Sequence, residues 1–292
     1  MDLGRVGIWT FALDLQPAAR ACDLAAELDT LGYGAIWVPD AVGRDPLVHA
    51  ALLLGGTDRI AIATGIAQIW GRDPMSMNAG WKTLSEAFPG RFVLGLGVSH
   101  QPIVEGLRGR SYARPLTAMR EYLDGMDRAM YAAIEPTEAP RRVLAALGPK
   151  MLALAAERTD GAHPYNVPPE HTARAREILG PDKLLAPEQA VLLETDPDAA
   201  RRIGRAHLAI YRDLPNYMNN LRRFGISDDD LAGDGSDRLV DMLVAWGDAE
   251  AVSTRVRAHL DAGADHVAVQ VLKPHRTEVP LDDWRELAPA LL

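Results

Sequence analysis

The sequence predicts an α/β fold, a (β/α)8 TIM barrel with a mainly helical insertion before its last unit. Three observations predict it. Eight short apolar runs alternate with helix-like segments along 292 residues, the order a parallel sheet with helical crossovers needs. Most of those runs are apolar at every position, as strands covered on both faces are. Three Asp-Pro pairs, Asp45-Pro46, Asp73-Pro74 and Asp196-Pro197, stand at the starts of predicted helices. There a carboxylate accepts free backbone N–H groups and proline loses no intrahelical bond. A doubly wound sheet shares the alternation and is the competing architecture.

The first strand is predicted over 5–9 and the first helix over 17–31. Ala18, Cys22, Ala25, Leu28 and Leu31 recur at three- and four-residue steps and mark its buried face, with Gly32 as the C-cap. Strands follow at 35–38, at 60–66 (IAIATGI) and at 91–96 (RFVLGL), with the Asp45-Pro46 helix after the second and the Asp73-Pro74 helix, to Phe88, after the third. A helix is expected over 115–132, a strand over 143–147, a helix from Gly148-Pro149 to Arg158 and a strand over 161–164. Pro168-Pro169 opens a helix ending near Gly180, 190–194 is the seventh strand, and Asp196-Pro197 opens a helix to Tyr211. Residues 212–246 are too long for an ordinary connection and form the predicted insertion. The last unit is a helix over 248–260 and a strand over 266–272 (HVAVQVL), with a Pro-containing tail expected to wrap the surface. No linker composition divides the chain, so one domain over 1–292 is expected.

The formal charge is −9, from 31 Lys and Arg against 40 Asp and Glu. That balance disfavours general nucleic-acid and anionic-membrane binding, since both partners are polyanions. No apolar run reaches the roughly 18–20 residues of a membrane span, and the amino-terminal MDLGRVGIWT lacks a secretory pattern. The expectation is a cytoplasmic α/β protein. The single cysteine, Cys22, excludes an internal disulfide, and the histidines lack HExxH spacing, so no metal is expected.

In a barrel the loops after the strands converge on one face. That selects Trp9, Asp40, 65–70, Ser99, His100, 148–151 and 163–166. Gly148-Pro149-Lys150-Met151 is a turn into a helix whose N–H groups can receive an anion, and Lys150 either adds charge or lies in solvent. Gly95 and Gly97 invite a dinucleotide reading, but His100 stands where the third glycine belongs. His100 is then a proton carrier, a cofactor contact or an ordinary loop histidine. Gly65-Ile66 permits a bulge against a planar ligand. Trp9 and Trp70 line an aromatic substrate pocket or pack in the core, while Trp37 and Trp81 read as packing. Tyr165 and Asn166, after His163-Pro164, would hold a substrate or a ring edge. Tyr211, Tyr217, Asn219 and Asn220 form a lid or cap the insertion.

Several segments together resemble one family. They are AIWVPDAVGRDP (35–46), ATGIAQIWGRDP (63–74), RFVLGLGVSH (91–100), SYARPLTAMREYLDGMD (111–127), LAALGPKMLALAAERTDGAHPYNVPPEHTARAREILGP (144–181) and YRDLPNYMNNLRRFG (211–225). They resemble the bacterial luciferase-like monooxygenase superfamily and, within it, the actinobacterial oxidoreductases that use the deazaflavin coenzyme F420. The resemblance implies a barrel that transfers hydride through C5 of the deazaflavin to or from a small organic substrate. Flavin mononucleotide (FMN) is the alternative cofactor. Gly65, Ile66 and Ala67 would support the ring, with a non-proline cis peptide at Gly65-Ile66. Ser99 and His100 would lie beside it, and Leu147, Gly148, Pro149, Lys150 and Met151 would meet its phosphate-bearing side. His100 is the first choice for the proton carrier, then Asp40, then Tyr165. A homodimer is compatible with the resemblance. The alternatives are a reduced-flavin monooxygenase, a noncatalytic deazaflavin-binding protein, and an unrelated barrel enzyme holding a phosphorylated substrate at Gly148.

Overall fold

A computed structural model describes residues 3–275 and 277–292. Met1 and Asp2 of the amino-terminal stretch, and Arg276 in the carboxy-terminal tail, lie outside the described residues. The chain runs β1 (Val6–Trp9), α1 (Ala18–Leu31), β2 (Ala35–Val38), α2 (Pro46–Gly55), β3 (Ala61–Thr64), β4 (Ala67–Gln68), α3 (Pro74–Ala87) and β5 (Phe92–Gly97). It continues through α4 (Pro115–Asp127), β6 (Arg141–Leu144), α5 (Pro149–Arg158), β7 (Gly161–Ala162), α6 (Pro169–Leu179), β8 (Leu184–Leu185) and β9 (Glu188–Leu193). The last stretch is α7 (Pro197–Leu208), α8 (Pro215–Arg223), α9 (Asp228–Leu231), α10 (Asp237–Leu243), β10 (Val244–Gly247), α11 (Ala249–Asp261), β11 (Val267–Val271) and α12 (Leu281–Leu291).

Among the described residues the strands pair in parallel, in the order β10-β9-β11-β1-β2-β3-β5-β6-β7-β8, with β4 also on β5. Only Ala186-Pro187 separates β8 from β9. Ala186 N–H donates to Ala162 O at 3.0 Å on one side, and Ala268 N–H to Pro187 O at 2.9 Å on the other. The sheet is therefore curled: one stretch of chain carries β8, at one end of the path, and β9, next to β10 at the other. Helices pack outside through a core that includes Leu24, Ile36, Leu53, Ile62, Leu94, Leu123 and Val269. A second cluster, with Trp9, Ala35, Trp37, Ala61, Ala63, Val93, Val143 and Ala268, lies across the strands on their other face. Small residues there leave volume for Trp37, whose ring stacks on His163 at 4.1 Å and whose Nε1 donates to His266 Nε2 at 3.1 Å.

The three Asp-Pro signals hold. Asp45 accepts from Leu47 and Val48 N–H, Asp73 from Ser76 N–H, and Asp196 from Asp198 and Ala199 N–H. Gly32 is the left-handed C-cap of α1 at φ 98°. Asp196→Ala removes a cap worth about 1 kcal/mol. For a chain of this size it should lower Tm by about 2 °C in a calorimetric scan.

Several boundaries differ from expectation. Ala18 is exposed, and the buried stripe of α1 is Ala21, Leu24, Ala25 and Leu28. The fifth strand begins at Arg141 rather than Val143, and α4 stops at Asp127, short of Ala132. Residues 212–243 are largely helical, but Val244–Gly247 is a strand on β9, so the expected insertion boundary at 246 cuts through the sheet. The tail is not irregular wrapping: α12 buries Trp284, Leu287 and Ala288, and Trp284 O accepts Tyr33 OH at 2.8 Å. Among the described residues no helix is long and apolar enough to cross a membrane.

Candidate functional site

The carboxyl ends of β1, β2, β3, β5, β6, β7 and β11 form one rim. β3 ends at Thr64, the Gly65-Ile66 peptide is cis, and the chain re-enters the sheet at β4. Gly65 is required by space. A Cβ there would lie 2.5 Å from Trp9 Nε1 and 3.1 Å from His163 Nε2, and Gly65 O accepts Trp9 Nε1–H at 3.0 Å. A Cβ on Gly97 would meet Ile66 Cδ1 at 2.5 Å. The glycine after β3 and the glycine ending β5 thus fit the bulge between them.

Asp40, after β2, is heavily engaged. Its carboxylate accepts from Gln68 N at 3.1 Å, Arg72 Nη1 at 3.2 Å and Arg108 Nη2 at 3.4 Å. It ties β4 and two arginines to the rim. Trp70 does not join Trp9. Its Nε1 donates to Val98 O at 2.8 Å and its ring faces Tyr112. Trp9 instead packs against Phe11 at 4.7 Å and Tyr165 at 5.1 Å.

His100 follows β5. Burial pulls its imidazole down to about 4, its Nδ1 finds no hydrogen-bond partner, and its ring lies 5.5 Å from Tyr217. Ser99 holds a left-handed conformation at φ 55°, and its carbonyl accepts Tyr112 OH at 3.1 Å. Tyr165 OH donates to Gln270 Oε1 at 2.8 Å and lies 2.9 Å from Tyr211 OH. Burial and the neighbouring Tyr211 and Glu188 push its phenol well above the usual range. Asn166 adopts φ 57°, and its N–H donates to Glu188 Oε2 at 2.8 Å. Burial pushes the Glu188 carboxyl up to about 8 despite that bond, and its Oε1 has no partner.

Gly148 caps α5, with Lys150 exposed beside it. Pro149 carries no N–H, and Met151 N–H turns back to Gly148 O at 3.1 Å. The helix end alone is a narrower anion receptor than the sequence suggests. Arg223, from α8, supplies charge. Its Nη1 lies 3.7 Å from the position of a Gly148 Cβ. Leu147, Pro149, His171, Asn220, Arg223 and Phe224 line a cavity of about 320 Å³. Asn220 is 1% exposed and both its amide atoms lack partners.

Glu188, Gln270 and Arg223 were missed by sequence reasoning. Gln270 carried a signal, as the lone polar residue in the apolar strand VAVQV. Glu188 stands at a strand edge and Arg223 in a helix tail rich in arginine, where neither is distinctive. Tyr211 and Tyr217, named as lid residues, meet each other at 5.3 Å and cover Tyr165.

The chain has counterparts among known proteins. The chain is 29% identical over 210 residues to a putative coenzyme F420-dependent oxidoreductase of Mycobacterium tuberculosis, a match covering 61% of this chain and 59% of that protein. The matched region is thus less than two thirds of that relative's length. An F420-dependent secondary alcohol dehydrogenase, solved with an F420-acetone adduct, has the same fold at a TM-score of 0.77 and 16% identity, over 100% of both chains. So does the FMN-bound oxygenating constituent of 3,6-diketocamphane monooxygenase from Pseudomonas putida, at 0.72 and 17%, over 99% and 98%. The family model for luciferase-like monooxygenases matches residues 4–266. That span runs from before β1 to the threshold of β11 and takes in the bulge, the His100 loop and the Gly148 turn, so the chain belongs to the luciferase-like monooxygenase family.

Proposed function

We propose that the chain is an oxidoreductase that transfers hydride between coenzyme F420 and a small organic substrate. In this reading residues 1–292 form one (β/α)8 barrel domain, with the helices of 212–243 as its cover. One observation carries the reading: a glycine cradle and an anion-receiving turn stand on the same rim, with buried unpartnered polar atoms along it. Gly65 and Gly97 leave no room for side chains of their own. His100 Nδ1, Asn166 Oδ1 and the Asn220 amide lack partners among the described residues. A planar polar ring with an anionic tail suits that set.

Gly65, Ile66 and Ala67 would support the ring face, Ser99 and His100 its edge. Leu147 to Met151, joined by Arg223, would hold the phosphate-bearing side. When bound, the deazaflavin supplies hydride exchange at C5. His100, neutral and unpartnered, would take or return the substrate's proton. Tyr165 would orient the substrate through its hydroxyl, with Trp9 and Asn166 beside it. Asp40, engaged by Arg72 and Arg108, would position the bulge rather than move a proton. Trp70 would brace Val98 and the His100 loop. The cover of Tyr211 and Tyr217 excludes water from the reacting groups.

The relative from M. tuberculosis supports F420 over FMN. The test is anaerobic calorimetric titration of the purified protein with each. Saturable one-to-one binding of coenzyme F420, with FMN weaker by a factor of ~10 or about 1.4 kcal/mol, is expected. Binding of neither, or tighter binding of FMN, overturns the reading.

A further inference from the structure

A cavity of about 500 Å³ lies on the rim away from the residues assigned to the coenzyme. It opens between the ends of β1 and β11, the loop after β2, and α7. Its volume falls within the roughly 300–1,000 Å³ of small-molecule sites. Phe11, Ile203 and Leu272 make apolar wall. Leu15 and Val42, at 54% and 80% exposed, also line it. Two large apolar side chains left in water at one opening favour an apolar occupant.

The floor points at the chemistry. Gln270 and Tyr211 both line the cavity, and both contact the Tyr165 hydroxyl, at 2.8 and 2.9 Å. The cavity therefore ends at the two residues that hold the Tyr165 hydroxyl.

The charges of its lining are mostly committed. Asp14 is paired with His49 at 2.9 Å. Lys273 is paired with Glu278 at 3.3 Å and with Asp283 at 2.9 Å. Arg202, exposed on α7, has no ion pair among the described residues. An apolar cavity with one uncommitted guanidinium among its described lining suits a ligand with an apolar body and a single anionic group.

We propose that this cavity is the entry arm of the substrate site and that the substrate class is apolar monocarboxylates, with the carboxylate at Arg202 and the reacting end at Gln270 and Tyr211, the pair that holds the Tyr165 hydroxyl. Its name as a substrate site rests on the oxidoreductase reading. Its occupancy does not.

The test is calorimetric titration of the coenzyme-free protein with decanoate and, in parallel, decan-1-ol. Decanoate is expected to bind one to one and at least ~10-fold more tightly than the alcohol. Arg202→Gln should erase that difference. Ala206→Trp, which fills the cavity from α7, should weaken decanoate at least ~10-fold while coenzyme F420 binding and the melting transition stay unchanged. Failure of decanoate to bind overturns the proposal, as does binding that Ala206→Trp leaves intact. Equal binding of acid and alcohol, unmoved by Arg202→Gln, overturns the anionic class. Loss of coenzyme F420 binding with decanoate binding retained overturns the oxidoreductase reading and keeps the pocket; the reverse result overturns the pocket alone.

Discussion

Replacing His100 with glutamine is expected to lower kcat by about two to three orders of magnitude, the usual share of a positioned proton carrier. On the proposed reading, coenzyme F420 affinity should stay within about threefold, because glutamine retains a hydrogen-bonding side chain. Two facts set this expectation. His100 Nδ1 is buried without a partner, and burial holds the imidazole at about 4. The lowered value makes the ring neutral above pH 4 and cationic below. Wild-type kcat, read as initial rates after a pH jump, should be flat around neutrality and fall as pH drops through about 4. The glutamine variant should lack that limb. A limb nearer the ordinary histidine value of about 6.5 would show that another group carries the proton, and a variant with unchanged kcat would remove His100 from the chemistry.

Glu188→Gln should abolish the loss of stability on the alkaline side. The Glu188 carboxyl is fully buried and raised from 4.5 to about 8. A raised folded value means that the native state holds the proton more tightly than the unfolded chain does. Its contribution is present in full below about pH 4.5, declines as pH rises, and is gone above about pH 8. The buried histidines run the other way. His100 and His163 fall to about 4 and His259 to about 3, each from 6.5, all by burial first. Their stabilisation is present above about 6.5 and is lost as pH falls. The wild type should be most stable near pH 6.5 and lose about 2 kcal/mol by pH 8 through Glu188. Urea unfolding at both pH values reads this directly. Glutamine keeps the acceptor for Asn166 N–H without a titrating group, so the variant should hold level across that interval. An equal decline in the variant would assign the slope to other residues.

The local chemistry of the chain was legible where it is short-ranged. Asp45, Asp73 and Asp196 announce helix starts because the capping carboxylate, the proline and the N–H groups it serves lie within three residues. Strands apolar at nearly every position, alternating with helices, pointed to the parallel sheet. The α12 helix was legible too, since Trp284, Leu287, Ala288 and Leu291 recur at helical spacing, but the prolines around them drew the reading toward irregular tail. Val244–Gly247 was hidden because it pairs with β9 from the end of a helix, with no turn residue before it. At the site, individual rim positions followed from the barrel rule and the resemblance. Their partners did not. The Arg72 and Arg108 side chains on Asp40, and the Arg223 guanidinium beside Gly148, come from segments distant in sequence. The environment that raises Glu188 is built from at least β7 and β9 together, and no window of the chain contains it.

The Tyr165 hydroxyl stands between Tyr211 and Gln270 and is a narrow joint between two workshops. On one side are the glycine bulge, the His100 loop and the Gly148 turn; on the other are α7 and the loops after β1 and β2. Mutational drift at the exposed wall of the second side, at Leu15, Val42 and Arg202, can alter what enters without touching the bulge, the His100 loop or the Gly148 turn. Such a layout lets a lineage diversify its chemistry by appetite rather than by mechanism.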